Sequence, residues 1–329
     1  MNFSQLMGLA SGHVEARLTQ TAVELRIFDA LENAALTSEE AAARLALEPK
    51  AAELLLNALA AVELLHKNAA LFSLADTARQ YLLRSSPYYV GDMIRFESSL
   101  WNCWEKLPEA IRSGKAVRPA DMYQDDVNET ETFISAMDSL VKARGDSDVV
   151  ASALDWSHVG EFLDVGSGPA TYPIALCKKF PNLHATIFDL PVTLNITRHF
   201  IRAAGMEDRI RLIAGDYRKD AIPGDYQVIF LSNVIHGEDY AKNEALIGKL
   251  AKNLEPAGRI VIKDHILDDS RAKPAVGAIF SLLMLLTTAG GRCYSFNEIR
   301  TWMEAAGLSE VEQINLSSPL TSSLVIGTK

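Results

Sequence analysis

Asp164, Asp189, Asp216, His236 and Asp264 each stand at or just past the end of a short apolar run. Side chains of these types could do two kinds of chemistry. A carboxylate offers two acceptor oxygens, enough for the paired hydroxyls of a ribose or for the amino group of an adenine. A neutral imidazole takes up a proton near neutral pH, and an acid beside it orients the ring and stabilises its charged form.

The elements that must position them are legible around the first acid. Phe162, Leu163 and Val165 read as a buried strand that stops at Gly166-Ser167-Gly168. From Thr171 to Phe180 the pattern turns helical, with Ile174, Ala175, Leu176 and Cys177 near one face. Strand, glycine turn and helix open a nucleotide-binding βαβ unit. The two glycines let backbone pass close to a ligand. Position 171 is Thr, so the third glycine of a dinucleotide fingerprint is missing. A second strand ends in Asp189, where an acid suits a ribose. A third, Ile210 to Ile213, leads to Asp216 and Tyr217, which could frame an adenine. These acids suit a ligand with a ribose, an adenine and no pyrophosphate.

Five segments in order carry a family resemblance: LDVGSGPAT at 163–171, FDLP at 188–191, AGDY at 214–217, LSNVIH at 231–236 and PAGRIVIKDHIL at 256–267. The chain resembles the S-adenosylmethionine-dependent O-methyltransferases of the plant caffeate and bacterial polyketide type. The resemblance implies S-adenosylmethionine as cofactor and S-adenosylhomocysteine as product, with no metal. It assigns Asp164, Gly166, Gly168, Asp189, Leu190, Asp216, Tyr217 and Ser232 to the cofactor. It makes His236 a general base and Asp264 its partner, where the family has a glutamate. It places Met137, Phe280, Met284 and Thr288 at the acceptor pocket, whose apolar walls suit a flat aromatic molecule. Three departures stand out. His236 is followed by Gly237-Glu238 where the family has Asp-Trp, Cys293 takes the place of a second acid, and Thr288 that of an asparagine. They leave carbon and nitrogen acceptors open beside oxygen.

The implied fold is α/β: a Rossmann-like, doubly wound, mostly parallel sheet with an antiparallel C-terminal strand, preceded by an all-helical winged-helix-like domain. Strands are expected at 161–165, 185–188, 210–213, 226–231, 259–263, 309–315 and 322–327. The domains divide as 1–100 for dimerisation, 101–148 for helices capping the acceptor pocket, and 149–329 for catalysis. Within the first, apolar residues recur at helical spacing over 4–32. Thr37 with Glu40 reads as a capping box, and Pro49 opens a further helix. Residues 113–119 read as a loop, 131–141 as a helix and 144–148 as a linker.

Composition excludes several partners. The 329 residues carry a net charge of −10, which argues against nucleic acid. Residues 1–100 hold eight basic against twelve acidic side chains, so the winged-helix region offers no basic recognition face. Its apolar helices suit a second copy of the chain instead. The three cysteines have neither disulfide nor zinc-site spacing. The longest apolar run, 275–286, is shorter than the ~20 residues of a membrane span. No leader is read at the N-terminus, and a cytoplasmic location is expected. Two rival readings are a nicotinamide-dependent oxidoreductase and a non-catalytic, ligand-binding regulator.

Overall fold

The computed structural model describes residues 1–118, 126–317 and 319–329. Pro119, the end of the expected 113–119 loop, lies outside the described residues. The chain divides into two compact units, Met1–Trp101 with Ser135–Ala143, and Asn102–Ile134 with Arg144–Lys329.

In the first unit the expected 4–32 helix is broken. The helix Phe3–Glu24 ends before Arg26, whose φ of 60° is left-handed, and a short helix Ile27–Ala30 follows. Periodicity runs through the break because Ile27, Phe28 and Leu31 still bury, against Leu59 and Phe72. Helix Ser38–Leu45 opens with the expected box: Thr37 Oγ1 accepts the Glu40 N–H, and the Glu40 carboxylate accepts the Thr37 N–H. Pro49 starts the next helix, Pro49–Ala61, capped by Glu48. The region is not all helix. Strand β1 (Leu65–Asn68) pairs antiparallel with β2 (Leu71–Leu74) as the wing. Phe3, Leu6, Met7, Leu9 and Val14 of the first helix remain exposed.

The second unit is built on a seven-stranded sheet in the order β5-β4-β3-β6-β7-β9-β8. Its strands are β3 (Glu161–Val165), β4 (His184–Asp189), β5 (Ile210–Ala214), β6 (Tyr226–Ser232), β7 (Leu254–Asp264), β8 (Ser309–Asn315) and β9 (Ser323–Thr328). Strands β3 to β7 pair in parallel, and β9 runs antiparallel between β7 and β8. The chain leaves β3 for β4 and β5 on one side and returns for β6 on the other. That reversal opens a crevice at the carboxyl ends of β3 and β6, where ligands of such sheets bind. On one face Leu163, Val165, Ile229, Leu231, Ile260 and Ile262 pack with Trp302, Met303 and Tyr294 into the main core. Among the described residues no helix is long and apolar enough to cross a membrane.

Candidate active site

The glycine turn is tied to the neighbouring strand. Gly166 and Gly168 have φ of 70° and 59°, which favours glycine at both. A Cβ on Gly166 would meet Val234 Cγ2 at 3.0 Å and Tyr217 Cε1 at 3.9 Å, so the Tyr217 ring lies beside the turn. The Gly168 N–H donates to Asp189 Oδ2 at 2.9 Å, and the Leu190 N–H donates to Asp189 Oδ1 at 2.7 Å. Each Asp189 oxygen thus has one partner and room for a second. Burial pushes this carboxyl up to about 6, against the pull of those two bonds.

Asp164 is 1% exposed, and neither of its oxygens has a hydrogen-bond partner. Burial pushes its carboxyl up to about 7, with the Asp189 charge adding to the rise. A buried acid left without partners is costly unless a ligand supplies them. Ser232 Oγ is likewise buried and unpartnered. These groups fit a ligand that brings a ribose and a cationic group to the crevice.

Asp216 differs from the expectation in one respect. Its carboxylate is clasped by Arg218, through Nε to Oδ1 at 2.9 Å and Nη2 to Oδ2 at 2.8 Å, with the Arg218 N–H also on Oδ1. Arg218 holds it down at about 2. Any adenine amino group must therefore share this acid with Arg218. The Tyr217 hydroxyl donates to Glu238 Oε1 at 3.3 Å, and burial raises its pKa above the usual tyrosine range.

Strand β6 ends at Ser232, and a short 3-10 helix, Ile235–Gly237, carries His236. Its Nδ1 lies 2.8 Å from Asp264 Oδ1 at the end of β7. That oxygen also accepts the His265 N–H at 2.7 Å. Burial alone would raise the Asp264 carboxyl, but His236 and then His265 outweigh it and hold it below its usual value. A carboxylate at Nδ1 puts the ring proton there and leaves Nε2 as the basic nitrogen.

Phe280 stands between two imidazoles, edge-on to His236 at 4.8 Å and tilted to His265 at 5.1 Å between ring centroids. It belongs to the helix Ala275–Thr287, as does the buried Met284. Thr288 caps that helix: its hydroxyl donates to the Met284 carbonyl at 2.7 Å and accepts the Gly291 N–H at 2.8 Å. Both bonds are local, so the hydroxyl is already committed. Met137 lies in the first unit, half-buried on the helix Val127–Arg144.

Sequence reasoning gave no role to Glu238, His265, Asp146 or Lys263. His265 could have been found, since it adjoins Asp264 in the chain. Asp146 could not: it sits in the polar stretch read as a linker, yet its side chain is fully buried. The three cysteines are free thiols, all buried. Among the described residues no group of His, Cys, Asp and Glu could hold a metal ion.

A glycine turn between β3 and the next helix, with acids at the carboxyl ends of neighbouring parallel strands, defines a Rossmann-like nucleotide-binding class of fold. Comparison with known families narrows it further. The O-methyltransferase domain matches residues 104–309, and the dimerisation domain of O-methyltransferases matches 7–84. The chain belongs to the O-methyltransferase family. A 3-hydroxy-5-methyl-1-naphthoate 3-O-methyltransferase of Streptomyces sahachiroi is 30% identical over 98% of this chain and 94% of its own length. An 8-O-methyltransferase of tetracenomycin synthesis from Streptomyces glaucescens is 32% identical over 77% and 74%. Among solved structures, an O-methyltransferase family protein from Burkholderia thailandensis superposes with a TM-score of 0.88 at 27% identity, covering 100% of this chain and 98% of its own. Human N-acetylserotonin methyltransferase shares the fold, with a TM-score of 0.91 at 22% identity over 99% and 97%. The protein is an S-adenosylmethionine-dependent methyltransferase.

Proposed function

We propose that this enzyme methylates a hydroxyl of a small aromatic, polyketide-like metabolite, with His236 as general base and Asp264 as its partner. The observation that carries the reading is the 2.8 Å contact between His236 Nδ1 and Asp264 Oδ1 at the carboxyl edge of the sheet. The naphthoate relative favours an oxygen on an aromatic acceptor, and the tetracenomycin relative an oxygen of a polyketide.

When bound, S-adenosylmethionine supplies a methyl group already activated by its sulfonium. The chain then has two tasks. One is to hold the acceptor in line at near-attack distance. Phe280 and Met284 supply apolar surface for that. The other is to remove the acceptor's proton. A phenol with a pKa near ~10 is a poor nucleophile until ionised, and His236 Nε2 takes up the proton. The Asp264 carboxylate fixes the tautomer and stabilises the resulting imidazolium. Asp189 holds the ribose hydroxyls, with Leu190 and Gly168 fixing its carboxylate. Asp216 and Tyr217 frame the adenine beside Gly166. The exposed apolar face of the helix Phe3–Glu24 is covered by a second copy in a homodimer.

The test is product analysis by mass spectrometry after incubation with S-adenosylmethionine and a panel of hydroxylated naphthoic acids and anthraquinones. O-methylated product is expected. Its absence across the panel, from protein that binds S-adenosylhomocysteine, would sink the acceptor assignment.

A further inference from the structure

We infer that Asn243 and Tyr294 are positioning residues for His236: together they clamp the carbonyls on either side of the turn that carries it. This rests on the reading of His236 as general base.

The turn has little to hold it from within. The 3-10 helix Ile235–Gly237 is three residues long, and so short a piece makes few bonds of its own. Its upstream end is anchored in the main core by Val234 and Ile235. The downstream end is not. Gly237 has no side chain, and a Cβ there would meet nothing within 4 Å. The Glu238 carboxylate is held at 3.3 Å by the Tyr217 hydroxyl and at 3.3 Å by the Lys242 ammonium.

Two side chains from other elements close the downstream end. Asn243 is fully buried on the helix Tyr240–Lys252. Its amide donates to the Ile235 carbonyl at 2.8 Å and to the Glu238 carbonyl at 3.3 Å. Those two carbonyls bracket His236. Tyr294 is 1% exposed, and its hydroxyl donates to the Glu238 carbonyl at 2.6 Å. The Asn243 side chain also bonds that hydroxyl. Burial pushes the Tyr294 pKa up to about 12, so the hydroxyl keeps its proton and stays a donor. The ring itself is fixed: Trp302 meets it edge-on at 4.8 Å, and the Arg292 guanidinium lies over it, 4.2 Å from the centroid.

Tyr294 also reaches the acid half of the pair. Its backbone carbonyl accepts the N–H of Leu267, which follows Asp264 in the chain, at 2.9 Å. One residue thus registers the base through the Glu238 carbonyl and the acid through the segment after β7. The 2.8 Å contact between His236 Nδ1 and Asp264 Oδ1 depends on both staying in place. A displacement of about 1 Å at a reacting group costs up to ~100-fold in rate.

NMR of protein carrying isotope-labelled histidine, beside steady-state kinetics and calorimetry with S-adenosylhomocysteine, tests the assignment. The wild type should show a hydrogen-bonded His236 Nδ1–H, identified by its absence from His236→Gln. A second such signal should come from His265, whose Nδ1 bonds the Thr321 carbonyl at 3.0 Å. Tyr294→Phe deletes one hydroxyl and keeps the ring. It should lose or broaden the His236 signal and leave the His265 signal as it was. Turnover of an acceptor found in the product analysis should fall by about tenfold, with KM and S-adenosylhomocysteine affinity kept within about twofold. Asn243→Ala should do the same; if it does not fold, Tyr294→Phe carries the test. In the His236→Gln background Tyr294→Phe should cost nothing more, since a residue that acts through the base has no effect once the base is gone. An unchanged His236 signal in Tyr294→Phe, or an equal loss of turnover in both backgrounds, overturns the proposal. Near-normal turnover in His236→Gln would instead defeat the base reading, and the His236 signal would still judge the clamp.

Discussion

Asp264 Oδ1 accepts from two histidines at once, the His236 ring at 2.8 Å and the His265 backbone N–H at 2.7 Å. The second bond fixes the carboxylate, so the first fixes the imidazole. Under the proposed mechanism, His236→Ala should lower turnover by ~100-fold or more while S-adenosylhomocysteine affinity stays unchanged. Asp264→Asn should cost turnover on the same ~100-fold scale, because an amide at Nδ1 no longer stabilises the imidazolium. Steady-state kinetics beside calorimetry separate the two effects, and near-normal turnover in His236→Ala would demote it to packing.

Asp189 should govern cofactor affinity. Asp189→Ala removes an acceptor shared by the Gly168 and Leu190 amides and should weaken S-adenosylhomocysteine binding by ~1–3 kcal/mol. Asp189→Asn should also weaken it, since one side-chain oxygen becomes an N–H facing a backbone N–H. Unchanged affinity in both would refute the ribose assignment.

Burial sets a pH dependence with a definite sign. Asp164 and Asp189 are raised to about 7 and about 6. In the unfolded chain both titrate near ~4. Between those limits the folded protein holds protons that the unfolded chain has lost, so apoprotein stability should fall as pH rises from about 4 to about 7. Ligand affinity should run the other way and increase from about pH 6 to about pH 8, as the ionised carboxylates become the better acceptors for the ligand's donor groups. Thermal unfolding and calorimetry across that range measure both trends, and Asp164→Asn should flatten the upper part of each. A flat apoprotein profile would contradict the burial argument.

Gly291 allows the backbone to pass against the turn that carries His236. A Cβ there would collide with the His236 carbonyl and reach Thr288 Oγ1 at 2.7 Å and Gly237 C at 2.9 Å. Gly291→Ala should therefore displace the base and lower turnover by ~10-fold or more with cofactor affinity largely kept. Loss of cofactor affinity equal to the loss of turnover would show a global effect instead.

The exposed residues of the first helix predict the assembly. Leu6→Glu with Leu9→Glu should convert a dimer into monomers, read by light scattering on a sizing column. Retention of the dimer would place the interface elsewhere.

What the sequence determined by itself is what near neighbours decide. The Thr37–Glu40 box, the turn at Gly166 and Gly168, and the strands carrying Asp164, Asp189 and Asp264 depend on residues a few positions apart, so propensity and periodicity reveal them. The tertiary structure decided the rest. It broke the first helix at Arg26, because burying Ile27 and Phe28 outweighs a left-handed residue. It turned the 144–148 linker into the buried end of an ion pair with Lys263, which chain spacing cannot show because the two meet only once the sheet forms. It also engaged the Asp216 carboxylate with Arg218 and committed the Thr288 hydroxyl to a helix end. A motif names which acids stand at the strand ends; only packing determines how many of their lone pairs are already taken.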